Sequence, residues 1–218
     1  MTHFSRTPKP SHSPWGQIDY ADQIVPGVWS VGTPSHGGFL LSPERQTAMP
    51  AVARRAGAAY EEDAEWSLVA LVFADEFSAI SCAERTMADI ARDHVRNYYP
   101  DEYAHLTGDT PTAETSHVLR RREICSAAIG QFVVTSAFGD WADWVPDGKV
   151  GIIAREAIGI TREGHYEYGD VERRGLVDAA RYDNRAIVSL WDDLNPALCD
   201  EGAAGPLFRK TATLTIQG

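Results

Sequence analysis

Much of what commonly carries chemistry is missing from this chain. The three cysteines, Cys82, Cys125 and Cys199, are odd in number and far apart. They form no Cys-x-x-Cys pair and no zinc spacing, which predicts reduced thiols rather than a disulfide framework. No apolar run approaches the roughly 20 residues of a membrane span. Residues 1–14 lack the apolar core of a secretory signal, so a cytoplasmic protein with no membrane partner is expected. There is no Gly-x-Ser-x-Gly nucleophile elbow, no His-x-x-x-His or His-Glu-x-x-His, and no phosphate-binding loop. Neither a metal nor a cofactor is therefore expected. Basic charge is also short. Lys and Arg number 20 against 31 Asp and Glu, a net charge of -11. An acidic surface repels phosphate, so direct nucleic-acid binding is disfavoured. An acidic protein can still meet a nucleic-acid-binding machine by filling its basic groove, although plain solubility also explains the charge.

What is present suffices for a fold. With 218 residues, 44% of them hydrophobic, the chain can bury one sizeable core or two small ones. Residues 1–13 carry prolines, serines and scattered charges and read as a flexible tail. Pro26-Gly27 is a turn, Val28-Trp29-Ser30-Val31 is β-prone, and Gly37-Gly38 leads into Phe39-Leu40-Leu41-Ser42. The pair predicts an antiparallel hairpin whose long tip carries His36. Ser42-Pro43 has the chemistry of a helix start, and a second short helical piece is expected over 51–56. Trp66, Val69, Ala70, Phe73 and Phe77 recur at three- and four-residue spacing, predicting a helix over 61–77 with Glu61, Glu62, Asp63 and Glu65 in its first turn. A further helix is expected over 78–98, capped by Ser78 and stopped by Pro100. A Thr-, Gly- and Pro-rich loop at 107–115 precedes a helix over 114–126. Strands are expected at 131–137, 149–155, 171–177, 186–190 and 212–216. The class is α+β, mainly antiparallel in its β-rich C-terminal part. The organisation is a helix-rich part over 14–106 and a β-rich part over 116–218, or one continuous domain.

His36 is the first candidate for chemistry. Histidine changes charge near neutrality, and adjacent glycines can turn backbone N–H groups toward an anion. The His-Gly-Gly run resembles the oxyanion loop of some esterases, but the nucleophile elbow that would complete it is missing. A tight architectural turn is the competing reading. If the tip folds over the acidic segment, His36 meets Glu61, Glu62 or Glu65 as an acid–base pair or metal ligands. Otherwise those carboxylates simply oppose a helix dipole. Arg120-Arg121-Arg122 and Arg173-Arg174 are the dense basic spots, suited to phosphate or to pairing with the abundant carboxylates. Trp141 and Trp144 either anchor a partner protein or cap the core beneath a loop.

Pro14-Trp15-Gly16, Val31-Gly32-Thr33-Pro34-Ser35-His36-Gly37-Gly38, Leu41-Ser42 with Arg45, Met49-Pro50, Tyr60-Glu61-Glu62-Asp63 and Glu65-Trp66 form a string that resembles an uncharacterised domain. That domain is found in proteobacteria, often on plasmids and other mobile elements near antirestriction genes. The likeness is best over 14–106, where Tyr98-Tyr99-Pro100 also fits. A weaker echo follows in Val133-Val134-Thr135-Ser136-Ala137, Gly148-Lys149-Val150 and Glu172-Arg173-Arg174-Gly175-Leu176-Val177. The resemblance implies a setting, conflict between mobile elements and host defence, and no reaction.

Two functional expectations follow. The first is a non-catalytic, acidic, protein-binding protein that blocks a nucleic-acid-targeting complex of the restriction or CRISPR type. Glu61, Glu62, Asp63, Glu65, Trp141 and Trp144 are its candidate contacts. The alternative is a hydrolase-like or metal-dependent enzyme using His36 with Glu61, Glu62 or Glu65. A homo-oligomer is compatible with both.

Overall fold

The computed structural model describes residues 3–186 and 188–199. The class is α+β, with antiparallel sheets and a β-rich C-terminal part. The chain divides into two compact units between Arg120 and Arg121, past the 107–115 loop.

The first unit opens with a two-stranded ribbon, β1 (His12–Ser13) and β2 (Gly16–Gln17). A four-stranded meander follows, built from β3 (Tyr20–Val25), β4 (Val28–Gly32), β5 (Gly37–Leu41) and β6 (Ala59–Glu61), in the order β3-β4-β5-β6. The expected hairpin is the β4–β5 pair, with Val28 opposite Leu41 and Gly32 opposite Gly37. Helix α1 (Pro43–Ala48) starts as Ser42-Pro43 predicts, since the Ser42 hydroxyl accepts from the Arg45 amide. Single 3-10 turns at Ala51–Ala53 and Ala56–Ala58 replace the short helical piece. Beyond β6 come α2 (Trp66–Val72), α3 (Ala74–Phe77), a hairpin of β7 (Ser81–Cys82) and β8 (Arg85–Thr86), then α4 (Met87–Tyr98) and α5 (Pro100–Thr107). The sheet and helices enclose a core of Val28, Phe39, Leu41, Met49, Tyr60, Leu68, Val69, Phe77, Ala91 and Val95.

Four expectations are revised here. Residues 61–77 are not one helix. Tyr60 pairs with Phe39 across the ladder and is fully buried, so the chain stays extended through Glu61 and becomes α-helical only at Trp66. The helix over 78–98 begins only at Met87. Its cap is Thr86 rather than Ser78, in a reciprocal capping box with Asp89, whose carboxyl those bonds hold below its usual range. Pro100 begins α5 rather than merely stopping α4, because a missing N–H costs nothing at a first helical position. The segment before residue 14 does bury something. Phe4 packs edge-on against Phe73 at 5.5 Å, and the Thr7 hydroxyl accepts hydrogen bonds from Gln23 and Trp29.

Helix α6 (His117–Ser126) leads into the second unit. There β9 (Phe132–Phe138), β10 (Lys149–Ile160), β11 (Tyr166–Asp178) and β12 (Ala197–Leu198) form an antiparallel sheet in the order β12-β11-β10-β9. Short helices α7 (Ala179–Asp183) and α8 (Trp191–Leu194) complete it. Ile152, Ala154 and Val177 pack with Trp191 and Leu194. Among the described residues of the strand expected at 186–190, Leu190 makes an isolated bridge to Val133. The strand expected at 212–216 lies outside the described residues.

Candidate functional site

The site grows out of strand register. Thr33 closes the β4–β5 tip: its hydroxyl donates to the His36 carbonyl at 2.8 Å and accepts from the His36 amide at 3.1 Å. Gly37 and Gly38 lie inside β5, paired with Gly32 and Val31 on one side, while Gly38 faces Glu61 on the other. They are therefore ladder residues rather than a free anion-holding loop. Glycine is required at both. A Cβ on Gly37 would sit 2.6 Å from Glu62 Oε2, and one on Gly38, where φ is +149°, would sit 2.2 Å from the Tyr60 carbonyl oxygen.

This register carries the end of β6 to the tip. The imidazole of His36 and the carboxylates of Glu61 and Glu62 converge, each offering one ligand atom within 4.8 Å of the others. His36 and Glu62 are exposed and Glu61 is half-buried. The Asp63 amide donates to Glu61 Oε2 at 2.7 Å and orients that carboxylate. Glu61 and Glu65 do not share a helix turn, since Glu61 ends a strand. Glu65 instead binds Arg55 at 2.8 Å and accepts from the Glu61 amide.

Sequence reasoning missed the network that removes Glu65 from the tip. The Arg55 guanidinium lies between Glu65 and Glu102, 3.6 Å from the latter, and over the Tyr99 ring. Tyr60 accepts from the Arg55 amide and donates to Gln46 Oε1 at 2.9 Å. Burial pushes the Tyr60 and Tyr99 phenols above their ordinary range. No local pattern joins positions 55, 65 and 102. Among the described residues, Glu61, Glu62 and Asp63 make no ion pair, in contrast to Glu65, Glu76, Asp93 and Glu102. A cavity of about 600 Å³ opens beside Phe4, Pro26, Phe73 and Glu76, and neither His36 nor Glu62 lines it.

The tryptophan pair separates. Trp144 packs over Gly151, leaving no room for a Cβ there, and meets Phe138 at 5.5 Å. Trp141 is 55% exposed. The arginine runs are engaged locally. Arg120 donates to the Ala113 and Glu114 carbonyls, Arg122 to the Arg162 carbonyl, and Arg121 meets His165 Nδ1 at 3.0 Å. Arg173 covers the Phe132 ring, and Arg174 pairs with Glu172. None of the three cysteines is in a disulfide, and among the described residues no helix is long and apolar enough to cross a membrane.

No curated protein and no solved structure matches the chain. A family match does cover residues 8–129, which include the whole β3–β6 sheet, its tip and the capped helices. The chain belongs to the family described as a domain of unknown function, DUF7007.

Proposed function

We propose that this protein is a non-catalytic binding module that engages a basic surface of a protein partner through the carboxylates at the end of β6, beside the β4–β5 tip. One observation carries the reading: Glu61, Glu62 and Asp63 stand together without a cationic partner among the described residues, while Glu65, Glu76, Asp93 and Glu102 are paired. Clustered carboxylates without a cation repel one another, and a facing basic groove relieves that repulsion while steering association. The exposed Trp141 suits a second anchor. The resemblance to a domain of mobile elements narrows the partner to a nucleic-acid-targeting defence complex, of the restriction or CRISPR type, whose phosphate-binding groove the carboxylates would occupy. The action is in the cytoplasm.

The test is association of the pure protein with purified restriction and CRISPR effector complexes at low and moderate salt. Binding that weakens with salt, and weakens again in the variant carrying Glu61→Gln, Glu62→Gln and Asp63→Asn, is expected. A variant that binds as well as the parent removes the tip from the interface. No association at either salt removes the partner class.

A second reading draws on the convergence of His36 with Glu61 and Glu62. It is hydrolysis, with the imidazole as general base oriented by a carboxylate. Turnover of ester or phosphoester substrates that disappears in His36→Ala would favour it.

A further inference from the structure

The same tip has a property that neither reading requires. His36, Glu61 and Glu62 offer one imidazole nitrogen and two carboxylate oxygens, all within 4.8 Å of one another. Ligand atoms sharing one first-row cation at bond lengths of about 2.1 Å lie roughly 3 to 3.5 Å apart. Small rotations of the exposed His36 and Glu62 side chains close that difference. Three features make this more than adjacent charge. Gly37 leaves open the space that a Cβ would fill, and Glu62 Oε2 lies 2.6 Å from that position. The ladder fixes the backbones, because the Glu62 amide donates to the Gly37 carbonyl at 3.0 Å. The Asp63 amide holds Glu61 in orientation from outside the donor set, as outer groups do around bound metals. Charge also balances, since two carboxylates without an ion pair neutralise one divalent ion.

We propose that His36, Glu61 and Glu62 form a binding site for a divalent first-row transition cation such as Zn²⁺ or Mn²⁺. The imidazole selects these ions over Mg²⁺ and Ca²⁺, which prefer oxygen alone. Three protein ligands at an exposed tip leave further coordination positions to water or to a partner's side chain. The site stands on the donor geometry alone, and a bound ion would neutralise two of the three carboxylates that the partner reading uses.

Titration of the full chain with ZnCl2, MnCl2 and MgCl2 tests it, alongside amide NMR spectra with Mn²⁺ added. The expected results are affinity in the order Zn²⁺, Mn²⁺, Mg²⁺ and paramagnetic broadening centred on residues 36–38 and 61–62. Zn²⁺ affinity should fall at least tenfold in His36→Ala and in Glu62→Gln, but not in the exposed control His12→Ala. Broadening centred elsewhere, Mg²⁺ bound as tightly as Mn²⁺, or unchanged Zn²⁺ affinity in both tip variants overturns the proposal. The broadening map uses the unaltered chain, so a variant that fails to fold leaves the test intact.

Discussion

The amide of Glu62 donates to the carbonyl of Gly37 at 3.0 Å. That bond extends the β5–β6 ladder one step past the last pair of strand residues, and it places the residue after the strand beside the residue before its neighbour. His36 and Glu62 meet because of it, although they are 26 positions apart in the chain. The candidate site is therefore a property of register rather than of any helix face.

Register gives the first prediction. A Cβ on Gly37 would meet the movable Glu62 carboxylate at 2.6 Å and the Val31 carbonyl at 2.7 Å, whereas one on Gly38 would meet the Tyr60 carbonyl at 2.2 Å with φ at +149°. Gly37→Ala should cost about 1–3 kcal/mol, in the range of overpacking, and Gly38→Ala more, because backbone on both strands must shift. Urea midpoints of the two variants check the order.

The hairpin and α1 were legible because their signals are local. Pro26-Gly27 and Gly37-Gly38 bracket β-prone runs, and Ser42-Pro43 is a cap followed by a first-turn proline. The end of β6 was not. Glu61 to Trp66 fits a 3.6-residue period as well as any helix start, and only the long-range pairing of Tyr60 with Phe39 holds the chain extended. The β7–β8 hairpin was hidden similarly, since Ala83 adopts φ +56° without a glycine to announce the turn. The Thr86-x-x-Asp89 capping box, by contrast, is a local signal that the sequence carries in full. The sequence offers Glu61, Glu62 and Glu65 alike as conditional neighbours of His36, and the structure brings the first two to it. Glu65 was not separable from them without knowing where Arg55 lies.

Arg45 supplies the second prediction. It is fully buried, donates to the Pro26 carbonyl at 2.9 Å, and binds Glu76 through both guanidinium nitrogens at 2.7 and 2.5 Å. Phe4 and Phe73 cover it, at 3.7 and 4.4 Å from the guanidinium carbon. Removing the carboxylate leaves a buried cation uncompensated, which typically costs 3–5 kcal/mol. Glu76 is 36% exposed, and water entering at its place reduces the loss to about 2 kcal/mol. Chemical denaturation of Glu76→Ala measures it. Phe4→Ala should cost less, about 1 kcal/mol, and would show that the N-terminal segment is part of the fold.

His94 should make the first unit sensitive to acid. Its ring stacks on Trp66 at 5.8 Å, and its Nδ1 is buried without a hydrogen-bond partner. Burial holds the imidazole below its ordinary value of 6.5, against a hydrogen bond to the Ala64 backbone that works the other way. As pH falls below about 6.5 the unfolded chain takes up a proton that the folded one refuses, so stability drops until the folded group also titrates. The urea midpoint of the parent should fall between pH 7.5 and pH 5, and that of His94→Phe, which keeps a ring against Trp66, should fall less. Equal slopes would assign the acid sensitivity to other groups.

The two tryptophans near residue 140 should respond oppositely. Trp144 lies with its ring atoms where a Gly151 Cβ would be, and it packs on Phe138 at 5.5 Å. Truncating it to alanine opens the sheet face at Gly151, and for a half-buried ring the loss should be about 2–3 kcal/mol. Trp141 is 55% exposed and meets Phe138 at 5.9 Å. Its truncation should change stability by no more than about 0.5 kcal/mol, as surface substitutions do. A difference of this size is readable from thermal melts of the two variants beside the parent. If Trp141→Ala proves as destabilising as Trp144→Ala, both rings serve the core and the case for an exposed anchor is lost. If it leaves folding intact, the same variant becomes a clean probe of partner binding, because any weakening of association then comes from the lost contact rather than from an unfolded second unit.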